Sequence, residues 1–403
     1  MNRILHIINS EQAQAELKKI NVSSGGIESM YAKMNGLCLK LENVPLAAAN
    51  ILKQEMLSLG GDAAVARGVV NGTVPLSEVI LMDNEQKLIR LAEKLVWQQY
   101  FKLPAIRKDI LRLLKNFQGK DIGKREYNGK TIDLSQTQIM GVLNITPDSF
   151  SDGEKFLAKD AAVMQALRMI DEGAAIIDIG GESTRPGAAE VSAREEKERV
   201  IDVIREIRQE SDILISIDTT KAEVARGAMK AGADMINDIS ALRFDPEMIK
   251  VLMEYPEAGV ILMHMLGTPR TMQQKPEYED TIREILEFLQ ERINYAVSNG
   301  ISPERIMIDP GIGFGKRQSD NLLILQRLAE FHCLNCPVVL GASRKSFINR
   351  IYESKADERE EGTLAGTALG HNAGVHIIRV HDVKQSKRLL QVMQAVKEVK
   401  CTL

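Results

Sequence analysis

From Gln138 onward, short runs of apolar and mostly β-branched residues alternate with longer stretches whose apolar positions recur at helical spacing. The short runs are IMGVLN (139–144), AAIIDIGG (174–181), ILISID (213–218), MINDIS (235–240), GVILMHM (259–265), RIMIDPG (305–311), PVVLGAS (337–343) and HIIRVHD (376–382). Each is nearly continuous in apolar character rather than alternating, which predicts strands buried on both faces, as in a parallel sheet covered by helices. The intervening stretches read as helices with glycine stops. AAVMQALRMIDEGA runs to Gly173, TKAEVARGAMKAGA to Gly232, and TIREILEFLQERINYAVSNG to Gly300 with Pro303 beyond it. Repeated βα units of this kind predict an α/β chain forming a (β/α)8 TIM barrel over 126–403.

The first part of the chain lacks this repeat. RILHII (3–8), YAKMNGLCLKLE (31–42), DAAVARGVV (62–70) and EVILMD (78–83) read as strands. SEQAQAELKKI (10–20), PLAAANILKQEMLSLGG (45–61), NEQKLIRLAEKLVWQQY (84–100) and PAIRKDILRLLKNF (104–117) read as helices. This predicts a small α+β domain over 1–125. The glycine- and charge-rich FQGKDIGKREYNGKTIDLSQT reads as a linker with a short hairpin at Asn128-Gly129. The domain carries no catalytic motif, and Asp62 and Arg67 read as solvated strand ends.

Composition narrows the function without choosing it. A net charge of -3 and a pI of about 6.2 give no support to nucleic-acid binding. No apolar run approaches the ~20 residues of a membrane span, and the N-terminus turns polar too early for a secretory signal, so a cytoplasmic protein is expected. The chain has 4 cysteines, Cys38, Cys333, Cys336 and Cys401, too few for a disulfide framework. The pair Cys333/Cys336 has no second ligand pair and reads as small residues packed ahead of a strand.

The C-terminal ends of the barrel strands carry the candidate chemistry. In order they show Asn144, GGESTRPG, Asp218, Asn237-Asp238, His264-Met265, DPGIGFGK, GASRKS and RVHD. Helix capping and turns account for Ser183, Asp148 and Asp382. They account poorly for Arg185, Lys345, Arg379 and His381, because basic side chains converging on a barrel mouth repel one another unless an anion sits there.

At this point a resemblance is plain. IMGVLNITPDSFSDG (139–153), IDIGGESTRPG (177–187), SIDTTKAEVA (216–225), MINDIS, MHMLGTPRTMQ (263–273), IDPGIGFGK (308–316), GASRKSFI (341–348) and RVHDV (379–383) resemble dihydropteroate synthase, in that family's order and across the whole barrel. The first ~125 residues lie outside it, because the family's minimal form is the barrel alone. The resemblance implies condensation of 6-hydroxymethyl-7,8-dihydropterin pyrophosphate with p-aminobenzoate to 7,8-dihydropteroate and pyrophosphate, with Mg²⁺. This is a step of folate biosynthesis, and sulfonamides occupy the family's p-aminobenzoate site. It also implies a homodimer whose partners are otherwise small molecules.

The matching positions suit that chemistry. The pterin's adjacent N–H donors call for a carboxylate, which the resemblance makes Asp309. Asn237 and Asp218 serve neighbouring ring atoms, Lys345 the far side, Arg379 a ring face and Met265 an apolar contact. Asn144, Arg379 and His381 match the anion site, with Asn144 offering an amide oxygen to Mg²⁺. Asp218 is the candidate for stabilising a cationic pterin after pyrophosphate loss. The first two loops, rich in Gly, Pro, Ser and Asp, are expected to close over the site. Thr184, Arg185, Phe314 and Ser346 border p-aminobenzoate, and Asp152 orients Arg185 or the amine.

Two departures from the family pattern are Leu266, where Gln is common, and KRQSDN (316–321). Neither removes a candidate catalytic group. Methyltetrahydrofolate-corrinoid methyltransferases share a pterin-binding barrel but do not need GESTRPG, SRKS and RVHDV. A non-catalytic pterin-binding paralogue should have lost an anion-site residue, and none is lost here.

Overall fold

The computed structural model describes residues 10–34, 36–117, 122–145, 155–183 and 191–398. The chain divides into two compact units, one ending at Gln118 and one running from Gly119 to Lys397.

In the first unit, β1 (Leu37–Pro45), β2 (Asp62–Val65) and β3 (Leu76–Asp83) form an antiparallel sheet in the order β1-β3-β2. Leu39, Leu41, Val79 and Leu81 point to one face and are buried with residues from the helices Leu46–Ser58, Glu85–Lys94 and Leu103–Phe117. Two expectations need correcting. Residues 31–34 form a 3-10 turn, and the strand begins only at Leu37, where the alternating leucines start. DAAVARGVV is not one strand: pairing stops at Val65, the Ala66 amide donates to Ser77 Oγ at 3.0 Å, and Gly68–Asn71 makes a short helix closed by the left-handed Gly72. The expected strand RILHII lies outside the described residues.

The second unit opens with the hairpin β4 (Lys124–Tyr127) and β5 (Lys130–Asp133), turning at Asn128-Gly129 with both residues at positive φ. Pattern alone put the boundary at 125/126, inside this hairpin, but the hairpin packs with the barrel. The barrel strands follow: β6 (Gln138–Asn144), β7 (Ile176–Gly180), β8 (Leu214–Asp218), β9 (Met235–Asp238), β10 (Gly259–Met263), β11 (Ile306–Asp309), β12 (Val339–Leu340) and β13 (Ile377–Val380). They are parallel, in the order β11-β10-β9-β8-β7-β6-β13-β12. The ring closes where Ile308 bridges Val338 and the Ile308 amide donates to the Pro337 carbonyl at 2.9 Å.

Side-chain alternation sorts this barrel into an outside and an inside. Outward residues such as Ile177, Ile179, Ile215, Ile217, Val260 and Leu262 join the helices in one large core. Inward residues, one from each strand, form a separate floor: Met140, Ile176, Leu214, Met235, Ile261, Met307, Val339 and Ile377. Tyr127, Ile132 and Leu134 of the hairpin segment are buried in that cluster, and a Cβ on Gly259 would meet the Tyr127 ring at 2.9 Å. The hairpin therefore plugs one end of the barrel, which leaves the opposite end for chemistry.

Candidate active site

Two residues beyond each floor position, the strand period brings the next side chains inward. Among these are Asp178, Asn237, Asp309 and Arg379. Two further along lie Asn144, Asp218, Ile239, Met265, Ser343 and His381, at or just past the strand ends. An apolar floor, a polar middle and a mouth that is polar on one side and apolar at Ile239 and Met265 thus follow from three successive inward positions.

The middle layer is built around one cation. Arg379 Nε donates to Asp178 Oδ2 at 2.6 Å, and Arg379 Nη2 donates to Asp218 Oδ2 at 2.8 Å. Asn237 Nδ2 also donates to Asp178 Oδ2, at 3.1 Å. The other oxygen of each carboxylate is buried without a partner. Burial pushes the Asp218 carboxyl up to about 7 against the pull of Arg379, with Asp178 and Glu196 raising it further. For Arg379 the same two carboxylates outweigh burial and hold the guanidinium firmly charged.

Asp309 is buried and accepts from the Gly311 amide at 2.7 Å through Oδ1. Burial raises its pKa, opposed by that bond and by Lys345 and Arg379. A Cβ on Gly341 would sit 3.7 Å from Asp309 Oδ2 and 3.9 Å from Arg379 Cδ, so the glycine leaves free space beside both groups. Lys345 Nζ stands 4.1 Å from the centroid of the Phe314 ring. Burial first, then Arg379, lowers the Lys345 amine to about 8.

His381 departs from the expectation of a converging cation. Its Nδ1 lies 3.0 Å from Ser343 Oγ, and burial with Arg379 and Arg344 nearby lowers it to about 3. The ring is neutral near pH 7 and offers hydrogen bonding rather than charge. Asp382, expected only to satisfy a turn, instead takes both arms of the Arg344 guanidinium. Arg344 is at φ 56, a strained conformation for a side-chain-bearing residue, and its amide is held by Thr363 Oγ1 at 3.0 Å. That turn delivers Lys345 to its place over Phe314.

Beside Asp218 lies a cavity of about 560 Å³, lined by Glu182, Ser183, Thr219, Thr220, Lys221, Ile239, Phe244, Asp245 and Thr268–Arg270. Its size is that of a small-molecule site. Asn144 adjoins Asp218, since a Cβ on Gly180 would lie 3.6 Å from both Asn144 Oδ1 and Asp218 Cβ. Met265 is buried with Ile239, Met263, Met272 and Phe314 in an apolar patch at the mouth. Ser346 is exposed at the start of the short helix after Lys345. Asp152, Thr184 and Arg185 lie outside the described residues.

A pterin binding enzyme family model matches residues 140–381. The Escherichia coli dihydropteroate synthase is 46% identical over 272 residues, covering 68% of this chain and 96% of that enzyme.

The chain belongs to the dihydropteroate synthase family.

Among solved structures, the Yersinia pestis dihydropteroate synthase in complex with a sulfonamide drug matches at TM-score 0.65 and 40% identity, covering 68% of this chain and 100% of that one. The Xanthomonas albilineans dihydropteroate synthase with 4-aminobenzoic acid matches at TM-score 0.65 and 41% identity, over 68% of this chain and 98% of that one. A probable bifunctional folylpolyglutamate synthase/dihydropteroate synthase of Haloferax volcanii is different in kind. It is 36% identical over 399 residues, covering 96% of this chain and 46% of its own length. The N-terminal unit is thus absent from much of the family's matched length but accompanies the barrel in that relative.

Sequence reasoning missed Asp178, Lys316 and Arg344. Asp178 had a readable signal: a lone carboxylate inside the run I-I-D-I-G, in a strand buried on both faces, must find a buried partner.

Proposed function

We propose that the barrel carries out the family's condensation with its inward residues dividing the work. The observation that carries this reading is the sharing of one guanidinium by two buried carboxylates, Asp178 and Asp218. Arg379 alone cannot balance both once they are ionised, and a dihydropterin turning cationic as its pyrophosphate departs supplies further positive charge beside Asp218. The C–O bond to pyrophosphate breaks with its electron pair leaving on the phosphate oxygen. The aryl amine's lone pair then forms the C–N bond, and the amine proton passes to the released pyrophosphate or solvent.

Asp309 and Asn237 read the pterin ring edge in this scheme, with Lys345 on the far side and Met265 beneath. Arg379 and His381 hold the leaving group, His381 through the nitrogen that Ser343 leaves free. Phe314, Ser346, Thr184 and Arg185 border p-aminobenzoate, and Asp152 orients the amine or Arg185. Mg²⁺ fits as an ion brought with the phosphates. Asn144 presents one amide oxygen beside Gly180, and no group of three His, Cys, Asp or Glu side chains among the described residues could cage it. A hard cation with phosphate and water ligands needs no more protein than that. When bound, it would draw charge from the departing pyrophosphate.

We read the enzyme as a cytoplasmic homodimer. No described helix is long and apolar enough to cross a membrane. Leu369, Val392 and Val396 stand exposed on the helices Glu360–Asn372 and Val383–Lys397, which pack against each other.

The charge reading has a pH signature. Burial keeps Asp218 protonated below about 7 in the free protein, so the ionised form that faces a cation is lost as pH falls. We expect kcat/KM for the pterin substrate to drop about tenfold per pH unit below that point. The residual activity of Asp218→Asn should be flat over the same range. An unchanged acid limb in that variant would assign the titration to another group.

A further inference from the structure

We propose that Lys316 is a positioning residue for the p-aminobenzoate side of the site, clamping the segment Gly311–Gly315 onto the segment His264–Leu266 and so setting where Phe314 and the Lys345 amine stand. The proposal rests on the reading that Phe314 borders that substrate, with Lys345 between it and the pterin.

Lys316 is among the most deeply buried side chains of the chain. A buried lysine needs an acceptor for every N–H it keeps. Its Nζ has three partners: it donates to the His264 carbonyl at 3.3 Å and the Phe314 carbonyl at 3.0 Å, and is bonded to His264 Nδ1 at 2.8 Å. Burial lowers the Lys316 amine to about 7 and the His264 ring well below the usual range, so the ring is neutral and the bond runs from the ammonium to Nδ1 or from Nδ1–H to the free amine. That ring is itself fixed, edge-on to Phe288 at 4.8 Å between centroids. Lys316 thus touches both segments at once and has no N–H left for a substrate.

The two segments meet backbone to backbone. Gly311 has φ 71, and a Cβ there would lie 2.0 Å from the His264 carbonyl oxygen. A Cβ on Gly315 would lie 2.7 Å from Leu266 Cβ and 2.9 Å from the Leu266 carbonyl oxygen. The rest of the segment is pinned from outside. The Gly313 amide donates to Asn321 Oδ1 at 2.7 Å, Gln273 Nε2 donates to the Gly313 carbonyl at 2.8 Å, and Tyr278 Oη donates to the Gly315 carbonyl at 2.7 Å. Lys345 lies along this surface: its amine is over Phe314, and its Cδ would be 3.4 Å from a Cβ on Gly313. A shift of the segment therefore moves the aromatic wall most directly and the Lys345 amine with it, and reaches the pterin site only through Lys345 and the Gly311 amide on Asp309, while Asn237, Asp178 and Arg379 on other strands stay in place.

The test is Lys316→Met in the full chain, with initial rates measured over both substrates. Two carbonyls lose their donor and His264 Nδ1 its partner, and KM for p-aminobenzoate should rise by about tenfold or more. KM for the pterin pyrophosphate, whose site feels the shift only at second hand through Lys345, Met265 and Asp309, should rise clearly less, by no more than about threefold. Partial unfolding would lower kcat alone and could not split the two KM values. Tyr278→Phe removes only the bond to the Gly315 carbonyl, and should raise the same KM by about two- to fivefold even if the first variant does not fold. Equal rises in both KM values, or no rise for p-aminobenzoate in any folded variant, would overturn the proposal. Phe314→Ala separates the two possible failures. If it raises the p-aminobenzoate KM while Lys316→Met does not, the substrate placement stands and the clamp fails. If Phe314→Ala also changes nothing, the placement itself is wrong and the proposal falls with it.

Discussion

Replacing Arg379 with methionine is expected to lower kcat/KM by about a thousandfold or more. The side chain does two jobs at once. It bonds to both Asp178 and Asp218, at 2.6 and 2.8 Å, and on our reading it faces the departing pyrophosphate. Removing one partner of a buried ion pair costs roughly 3–5 kcal/mol, because the remaining charge stays in low dielectric. The carboxylates will partly escape that cost by taking up a proton, which also removes the negative charge a cationic pterin needs. Stability and activity can be told apart with Asp178→Asn added to the Arg379 variant. The double variant should recover thermal stability but not turnover. Near-full activity in the single variant would remove Arg379 from the anion site.

Asp309→Ala is expected to weaken pterin binding by about a hundredfold or more, measured by calorimetry with an unreactive pterin. Hydrogen bonds to a charged group contribute roughly 1.5–3 kcal/mol each, and a ring edge with adjacent donors makes two. The carboxylate is already aimed, with Oδ1 on the Gly311 amide and open space by Gly341 next to Oδ2. The truncation leaves that amide without its acceptor, so some loss of stability should accompany the loss of affinity. Unchanged affinity would place the ring edge elsewhere.

What could be read in the chain before its structure follows from where the information is stored. The barrel was legible because each strand is a continuous apolar run and three of the helices run to a glycine, Gly173, Gly232 and Gly300. Its site was legible because polar groups sit where those runs end, as at Asn144, Asp218, Asn237, Asp309 and Arg379. The floor, middle and mouth are the same information read at the strand period. Lys316 and Arg344 were not legible in this way. Their partners His264 and Asp382 come from other strand ends and meet them only once the ring has closed. Local preference also misled at 62–70, where β-branched valines suggested strand. There β3 offers no further pairing beyond Val65, and the chain turns into a short helix.

The N-terminal unit contributes a small sheet and its own core, and nothing in the chemistry above draws on it. The Escherichia coli enzyme is matched over 96% of its length by only 68% of this chain, so a barrel alone suffices in that relative.

The central claim is that this barrel joins an amine to a pterin carbon by expelling pyrophosphate. It is tested most directly by mixing the full chain with 6-hydroxymethyl-7,8-dihydropterin pyrophosphate, p-aminobenzoate and Mg²⁺, and following pyrophosphate and 7,8-dihydropteroate together. The account predicts that both appear in equal amounts, and that neither appears when p-aminobenzoate or Mg²⁺ is withheld. Pterin binding without pyrophosphate release, or release that continues without dihydropteroate, would contradict it.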